Sequence, residues 1–507
     1  MVKTISVLAL AGLIALPAVS MASGGPNAQD LEKKIEELSR QLEELKAAMG
    51  KQAEVDRATS AQLSDLSDTI DDFDERADEW DLAARFKFYG DFRARYDYYN
   101  ANTVFGRTLK NDSLFTNRFR LNMRVKATEN VEFKGRLAMY KTWGMQSAFT
   151  DDSGAMWPVF DGNVTRTPTG DSALYVDRAY VNWNNIGGAP VWFSIGRRPT
   201  TDGPPSQVRM GTDERLATPV AFFNYPFDGF TLGYGYNWGN EELGSGKLRF
   251  CFGRGFEDGL LEDNDINDSD FAGINWDIAH KGTRLINLQS FMVFNAFNYP
   301  NFQDPIINAN FGDMSGMGDR QNIGNILHND IVYQDQVANW RYFASGGWSQ
   351  ARPNDNGMFN DFPAMMLGQT GPNTETNNGY ALYLGLRYDF DEIGLKLGAE
   401  YNYGSEYWVG FTPGADDIYM SKLATRGNVF ELYTIYDIPA GEAMSKYGRA
   451  FIRLGYQHYD YQYSGSGDWN MMPYDLGSES GLMSLQMMGM DPVEKADQVY
   501  LTFEAFF

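Results

Sequence analysis

The chain has a single cysteine, Cys251, among 507 residues. That excludes a disulfide framework, paired-cysteine zinc sites and covalent haem attachment through C-x-x-C-H. Only three histidines are present, His280, His328 and His458. Beyond the N-terminal twenty residues no stretch approaches the eighteen consecutive apolar residues of a membrane-spanning helix, so helical spans are excluded there. Excess positive charge is also lacking: the formal net charge is −24, which argues against nucleic acid as a partner and fits a surface protein with acidic loops. What the chain does have is 15% aromatic residues and 52 glycines. Both are expected where membrane strands need interfacial aromatic girdles and tight turns.

The N-terminus reads as a secretory signal, residues 1–22. Lys3 supplies the positive charge, Ile5–Val19 the apolar stretch, and Ser20-Met21-Ala22 a small-x-small cleavage site, followed at once by polar residues to Asn27. A retained anchor helix is the alternative, but the apolar run is short for one.

A coiled coil follows, over 28–80. Apolar residues alternate in steps of three and four, with Ile35, Leu42 and Met49 at a, and Leu31, Leu38 and Leu45 at d. The register passes through polar Gln52, Asp56 and Thr59 and resumes at Leu63, Leu66, Ile70 and Phe73. One helix of about fifty residues would be roughly 75 Å long. Such a helix cannot bury its seam alone, so self-association is expected, with a homotrimer favoured by analogy with porins. A monomeric helix on the periplasmic rim of a barrel is the alternative.

From Ala84 the period changes from seven to two. Phe86, Phe88, Phe92, Ala94, Tyr96 and Tyr98 alternate with Lys87, Asp91, Arg93, Arg95 and Asp97. The next segment sets Phe115, Phe119, Leu121, Met123 and Val125 against Arg118, Arg120, Arg124 and Lys126. A third sets Val131, Phe133, Leu137 and Met139 against Glu132, Lys134 and Arg136. A soluble sandwich also alternates, but these segments run to about ten to fifteen residues, longer than usual globular strands. Short turns (Thr128–Asn130, Ala279–Lys281, Asp389–Glu392) alternate with long polar loops such as Gly144–Ser172, Asn298–Asn325 and Ser464–Lys495. The chain closes on Val499, Leu501, Phe503, Ala505 and Phe507, which resembles the C-terminal signal read by the barrel insertion machinery of Gram-negative outer membranes, with Phe507 as its final aromatic.

The expected fold is therefore an all-β transmembrane antiparallel barrel over 84–507. Segments near 84–99, 113–127, 131–143, 174–184, 191–198, 228–238, 247–256, 271–279, 283–297, 326–334, 337–350, 379–390, 393–404, 427–437, 448–463 and 496–507 give sixteen strands, with fourteen or eighteen as alternatives. The tenth is weakly patterned. It is required because an even count returns the C-terminus to the periplasm.

Sixteen strands enclose an aqueous channel, so inward positions are functional candidates. Over the first five strands they are basic: Lys87, Arg93, Arg95, Arg118, Arg120, Arg124, Lys126, Lys134, Arg136, Arg178 and Arg198. Later strands send in Tyr383, Gly394, Gly398 and Glu400, with Lys396 and Arg453 as exceptions. Such a wall would favour anions or orient dipolar solutes crossing it. Alternatively, Asp91, Asp97, Glu132 and loop acids neutralise it and the ion pairs brace the wall. The loop after the fifth strand, within GRRPTTDGPPSQVRMGTDER, is the third extracellular loop; in general porins that loop narrows the pore. Asp202, Asp213 and Glu214 would then face the basic wall, with Arg209 and Arg215 complicating the polarity. The acidic segment Glu262–Asp270 partly mimics the ligand alternation of calcium loops but lacks the glycine and the downstream glutamate of an EF-hand. A solvated loop is the favoured reading and calcium binding the alternative, and no metal site or cofactor is assigned.

The runs NDSLFTNRFRLNMRVKATENVEFKGRLAMYKTWG, GRRPTTDGPP and RGNVFELY resemble an uncharacterised family of Gram-negative outer-membrane proteins with a coiled coil before a porin-like barrel. The resemblance implies an outer-membrane location, with the coiled coil in the periplasm and lipids, insertion machinery and small hydrophilic solutes as partners. An enzymatic barrel would need a histidine beside a serine or carboxylates, and no lipase or protease motif surrounds the three present. The remaining rivals are a tether or adhesin linking membrane and cell wall, and a sleeve around a partner protein.

Overall fold

The computed structural model describes residues 32–44, 46–47, 50–51, 54, 85–144, 172–198, 200, 202–212, 215, 217–218, 220–225, 228–257, 266–299, 320–412, 417, 421–439 and 448–507. The chain divides into two compact units, Met1–Ala83 and Ala84–Phe507. In the first, residues 32–44 are helical, and Arg40 and Glu44 pair one turn apart at 3.7 Å. The seam residues Ile35, Leu38 and Leu42 are 61%, 62% and 55% exposed, so this stretch leaves its apolar stripe uncovered. The signal segment and the rest of the heptad pattern lie outside the described residues.

The second unit is a closed barrel of sixteen antiparallel strands, each bonded to its sequence neighbours. They are β1 (Phe86–Thr103), β2 (Thr108–Lys126), β3 (Val131–Thr142), β4 (Tyr175–Trp183), β5 (Val191–Arg197), β6 (Asp228–Asn237), β7 (Ser245–Phe256) and β8 (Ser269–Lys281). The ring continues with β9 (Arg284–Phe297), β10 (Asn322–Val337), β11 (Trp340–Pro353), β12 (Asn377–Phe390), β13 (Leu395–Gly404), β14 (Gly427–Asp437), β15 (Arg449–Tyr461) and β16 (Val493–Phe506). β16 returns to β1, where Gly90 and Phe507 exchange backbone bonds of 2.8 and 3.0 Å. A side chain at position 90 would meet the Arg120 carbonyl and the Phe507 ring, so glycine is what lets the seam close.

Period-two sequence becomes two distinct surfaces. A lateral row on the outside runs Leu386, Ala399, Leu432, Tyr456, Val499 and Tyr98 across six strands. Leu232, Phe250, Phe430, Leu454 and Phe503 are also exposed outside. An apolar belt of this extent has no place in water and is the surface that a bilayer covers. No described helix is long and apolar enough to cross a membrane.

Three expectations need correction. The tenth strand is not a short stretch over 326–334 but the 16-residue β10. Ala279, His280 and Lys281 finish β8 rather than turning, and Gly282-Thr283 makes the reversal. Gly394 is not a wall residue: it ends the Asp391–Ile393 turn in the left-handed region at φ 65°, a conformation glycine adopts at little cost.

Candidate channel interior

The inward positions of β1–β5 carry the basic residues, and most are held by carboxylates. Arg95 grips Asp97 through three hydrogen bonds of 2.8–2.9 Å and lies 4.6 Å from the Tyr500 ring centroid. Arg118 and Arg120 share Asp91 at 3.2 and 2.8 Å. Arg124 and Lys134 share Glu132, at 2.5 and 2.7 Å. Arg136 is paired with Asp177, and Arg178 lies 3.6 Å from the same carboxylate. Arg93 is buried and donates to the Tyr140 hydroxyl at 3.2 Å. Lys87 and Lys126 are exposed near the short-turn end. The field of this wall is therefore largely cancelled locally. Removing one partner of such a pair is costly, because the other charge is left buried.

The loop after β5 crosses the interior. Asp202 accepts from Arg120 at 2.9 Å and lies 3.9 Å from Arg136, joining the loop to the wall of β2 and β3. From there the segment reaches opposite strands. Gln207 donates to Gln334 of β10 at 2.7 Å, Arg387 of β12 donates to the Val208 carbonyl at 2.6 Å, and Arg453 of β15 to the Arg209 carbonyl at 2.9 Å. Arg209 binds Glu431 of β14 at 2.8 Å, and Arg215 binds Asp277 of β8 at 2.6 Å. The loop thus presents cations to wall carboxylates as often as the reverse. Asp213 and Glu214 lie outside the described residues.

A second loop, between β13 and β14, also turns inward, and the sequence reading missed it. Trp408, Val409 and Phe411 are fully buried, and Lys422 joins Glu400 to Glu431. The two loops meet where the Asn224 amide donates to the Phe411 carbonyl at 2.7 Å. Around that contact, Phe223, Phe271, Phe291, Phe411 and Trp469 form part of one apolar cluster inside the barrel. The signal was the apolar run Tyr407-Trp408-Val409-Gly410-Phe411 between two strands. Above it, Tyr299 donates to Asp468 at 3.0 Å, and burial pushes that loop carboxyl above its usual range.

Beside this cluster, the wall of β4–β8 is hollow. One lateral row runs Asn182, Ser194, Thr231, Cys251, Gly273, Phe291 and His328. Four consecutive small side chains, Ser194 to Gly273, leave room that the first loop does not fill. The result is a cavity of about 420 Å³. Its cations are Lys134, Arg198, Lys247 and Arg249, and its rings include Trp192, Phe223 and Phe291. Arg249 is tied to Asn275 at 2.9 Å and Asp277 at 2.8 Å. Arg198 instead bonds two hydroxyls, Ser194 and Thr231, the latter at 3.0 Å. His328 is enclosed between the Phe291, Trp408 and Phe411 rings at 5.1–5.3 Å.

Within the acidic segment, Asp268 and Asp270 bind Arg254 at 2.6 and 2.9 Å, whereas Glu262, Asp263 and Asp265 lie outside the described residues. Among the described residues no group of three metal-ligating side chains is brought together.

A family profile described as "Protein of unknown function (DUF3373)" matches residues 108–507. No curated protein matches the chain. Similar solved structures include OprB of Pseudomonas putida at high pH, at 12% identity and TM-score 0.43, covering 86% of this chain and 97% of that one. OmpT of Vibrio cholerae in its trimer form matches at 12% identity and TM-score 0.39 over 83% and 99%. A Salmonella typhi OmpF complex with daunomycin matches at 12% identity and TM-score 0.40 over 83% and 97%.

Proposed function

The chain belongs to the DUF3373 family of proteins of unknown function, and from that premise we propose that it is an outer-membrane, porin-type diffusion channel for small hydrophilic solutes. The observation that carries the reading is a closed sixteen-strand barrel with an apolar exterior, a charged interior and a hollow left beside an in-folded loop. A closed barrel of this size holds more space than wall side chains fill. The two loops occupy much of it, so the route runs along β4–β8. We assign anion preference to the cations of that side, chiefly Arg198 and Lys247, since carboxylates pair with Arg95, Arg120 and Arg136 on the neighbouring wall. Residues 1–22 serve as the secretion signal, 28–80 as a periplasmic trimerising coiled coil, and Phe507 as the terminus read by the insertion machinery.

The test is conductance across a planar bilayer with full-length protein. Discrete steps with an anion-shifted reversal potential are expected. A second reading, a structural barrel or tether, is favoured by the apolar cluster that packs across the interior. Complete absence of steps would replace the channel by that reading, and a cation-shifted potential would remove the anion assignment.

A further inference from the structure

Of the two arginines on the cavity, Arg249 is held by Asp277 and Arg198 is not. Among the described residues its guanidinium has no carboxylate within 4.0 Å: Nη1 donates to Ser194 Oγ, Nη2 to Thr231 Oγ1 at 3.0 Å, and Cζ lies 5.3 Å from the Tyr180 ring centroid. Hydroxyls satisfy hydrogen bonds without supplying countercharge. A half-buried guanidinium left in this condition gains from any anion that reaches it, and its planar fork matches a carboxylate with two parallel bonds. Lys247 adds a second cation on the same cavity with no ion pair among the described residues.

The rest of the cavity has a different chemistry. Trp192 stands on one side with the Arg249 guanidinium 5.8 Å from its ring. Phe223 and Phe291 meet edge to face at 4.5 Å on the other. These walls present flat apolar surface a few ångströms from an unmatched cation. The volume, about 420 Å³, lies within the range of small-molecule sites.

We propose that this cavity is a binding subsite for small aromatic carboxylates, with the carboxylate on Arg198 and the ring among Trp192, Phe223 and Phe291. The proposal rests on the channel reading only in that the solute arrives through the lumen.

Titration calorimetry of the full-length protein in detergent, with benzoate as the probe, tests it. Saturable binding is expected, with benzyl alcohol and acetate each at least tenfold weaker on the unaltered protein. Arg198→Gln should weaken benzoate by tenfold or more, and Arg198→Lys, which keeps charge but loses the fork, by several-fold. Equal binding of benzyl alcohol and benzoate would overturn the proposal without any variant, and so would unchanged benzoate binding by Arg198→Gln. Benzoate binding without bilayer steps would sink the channel and leave the subsite standing. Steps without benzoate binding would do the opposite.

Discussion

The two sides of the barrel interior are built on opposite plans. Along β12–β16 the charges are matched and the space is filled. Arg387 holds Asp389 at 2.6 Å, Arg453 holds Glu504 at 2.9 Å, and Glu431 takes Arg209, Lys422 and Tyr500 at 2.5–2.8 Å. Along β4–β8 a row of small side chains leaves a cavity, and among the described residues Arg198 and Lys247 have no ion pair. The crossing loop therefore lies where wall carboxylates can take Arg209 and wall arginines can take its carbonyls. An interior surface of mixed charge thereby becomes a side packed by loops and ion pairs and a side that holds a cavity.

That contrast can be broken most severely at Glu431. Glu431→Ala leaves Arg209 and Lys422 buried with fewer partners, which for a broken buried pair costs about 3–5 kcal/mol. The temperature at which the folded form disappears in heat-modifiability gels should fall clearly, and an unchanged temperature would show that the filled side is not held by these charges. Deleting Thr201–Thr212 should come next in size. It removes the segment spanning Asp202 to Arg453, and single-channel conductance should at least roughly double for an aqueous path widened in this way. Unaltered conductance would place the constriction elsewhere. The smallest effect is expected from Cys251→Phe, which puts a ring into the hollow row beside Thr231 and Gly273. Conductance should drop while stability falls by no more than the roughly 1–3 kcal/mol typical of overpacking. An equal drop from Ile435→Phe, on the filled side, would erase the distinction between the two walls.

Much of the barrel was legible because lipid and lumen impose period two on every strand. The seam with Phe507, the even strand number and the inward course of Arg95, Arg120 and Arg136 follow from that pattern and from parity. β10 was faint for a physical reason. Its inward face carries Ile326 and Val332 against the internal clusters while its outward face carries Asn329, so both faces mix polar and apolar residues. Same-strand pairs such as Arg95–Asp97 could be read from spacing. Cross-barrel pairs such as Arg209–Glu431 could not, because a loop's path through the interior depends on which distant wall groups it meets. The second in-folded loop escaped notice because its apolar run is short and lacks the period of a strand.

The pairing of β1 with β16 also has a kinetic side. Every other strand finds its partner next door in sequence, whereas Ala94 must meet Phe503 across nearly the whole barrel domain. Contacts of such separation form late and slowly. Until they form, β1 and β16 are bare edges with open rows of amide and carbonyl groups, the condition most prone to pairing with a stranger. Gly90, where a Cβ would collide with the Arg120 carbonyl and the Phe507 ring, is what allows those two edges to be covered by each other.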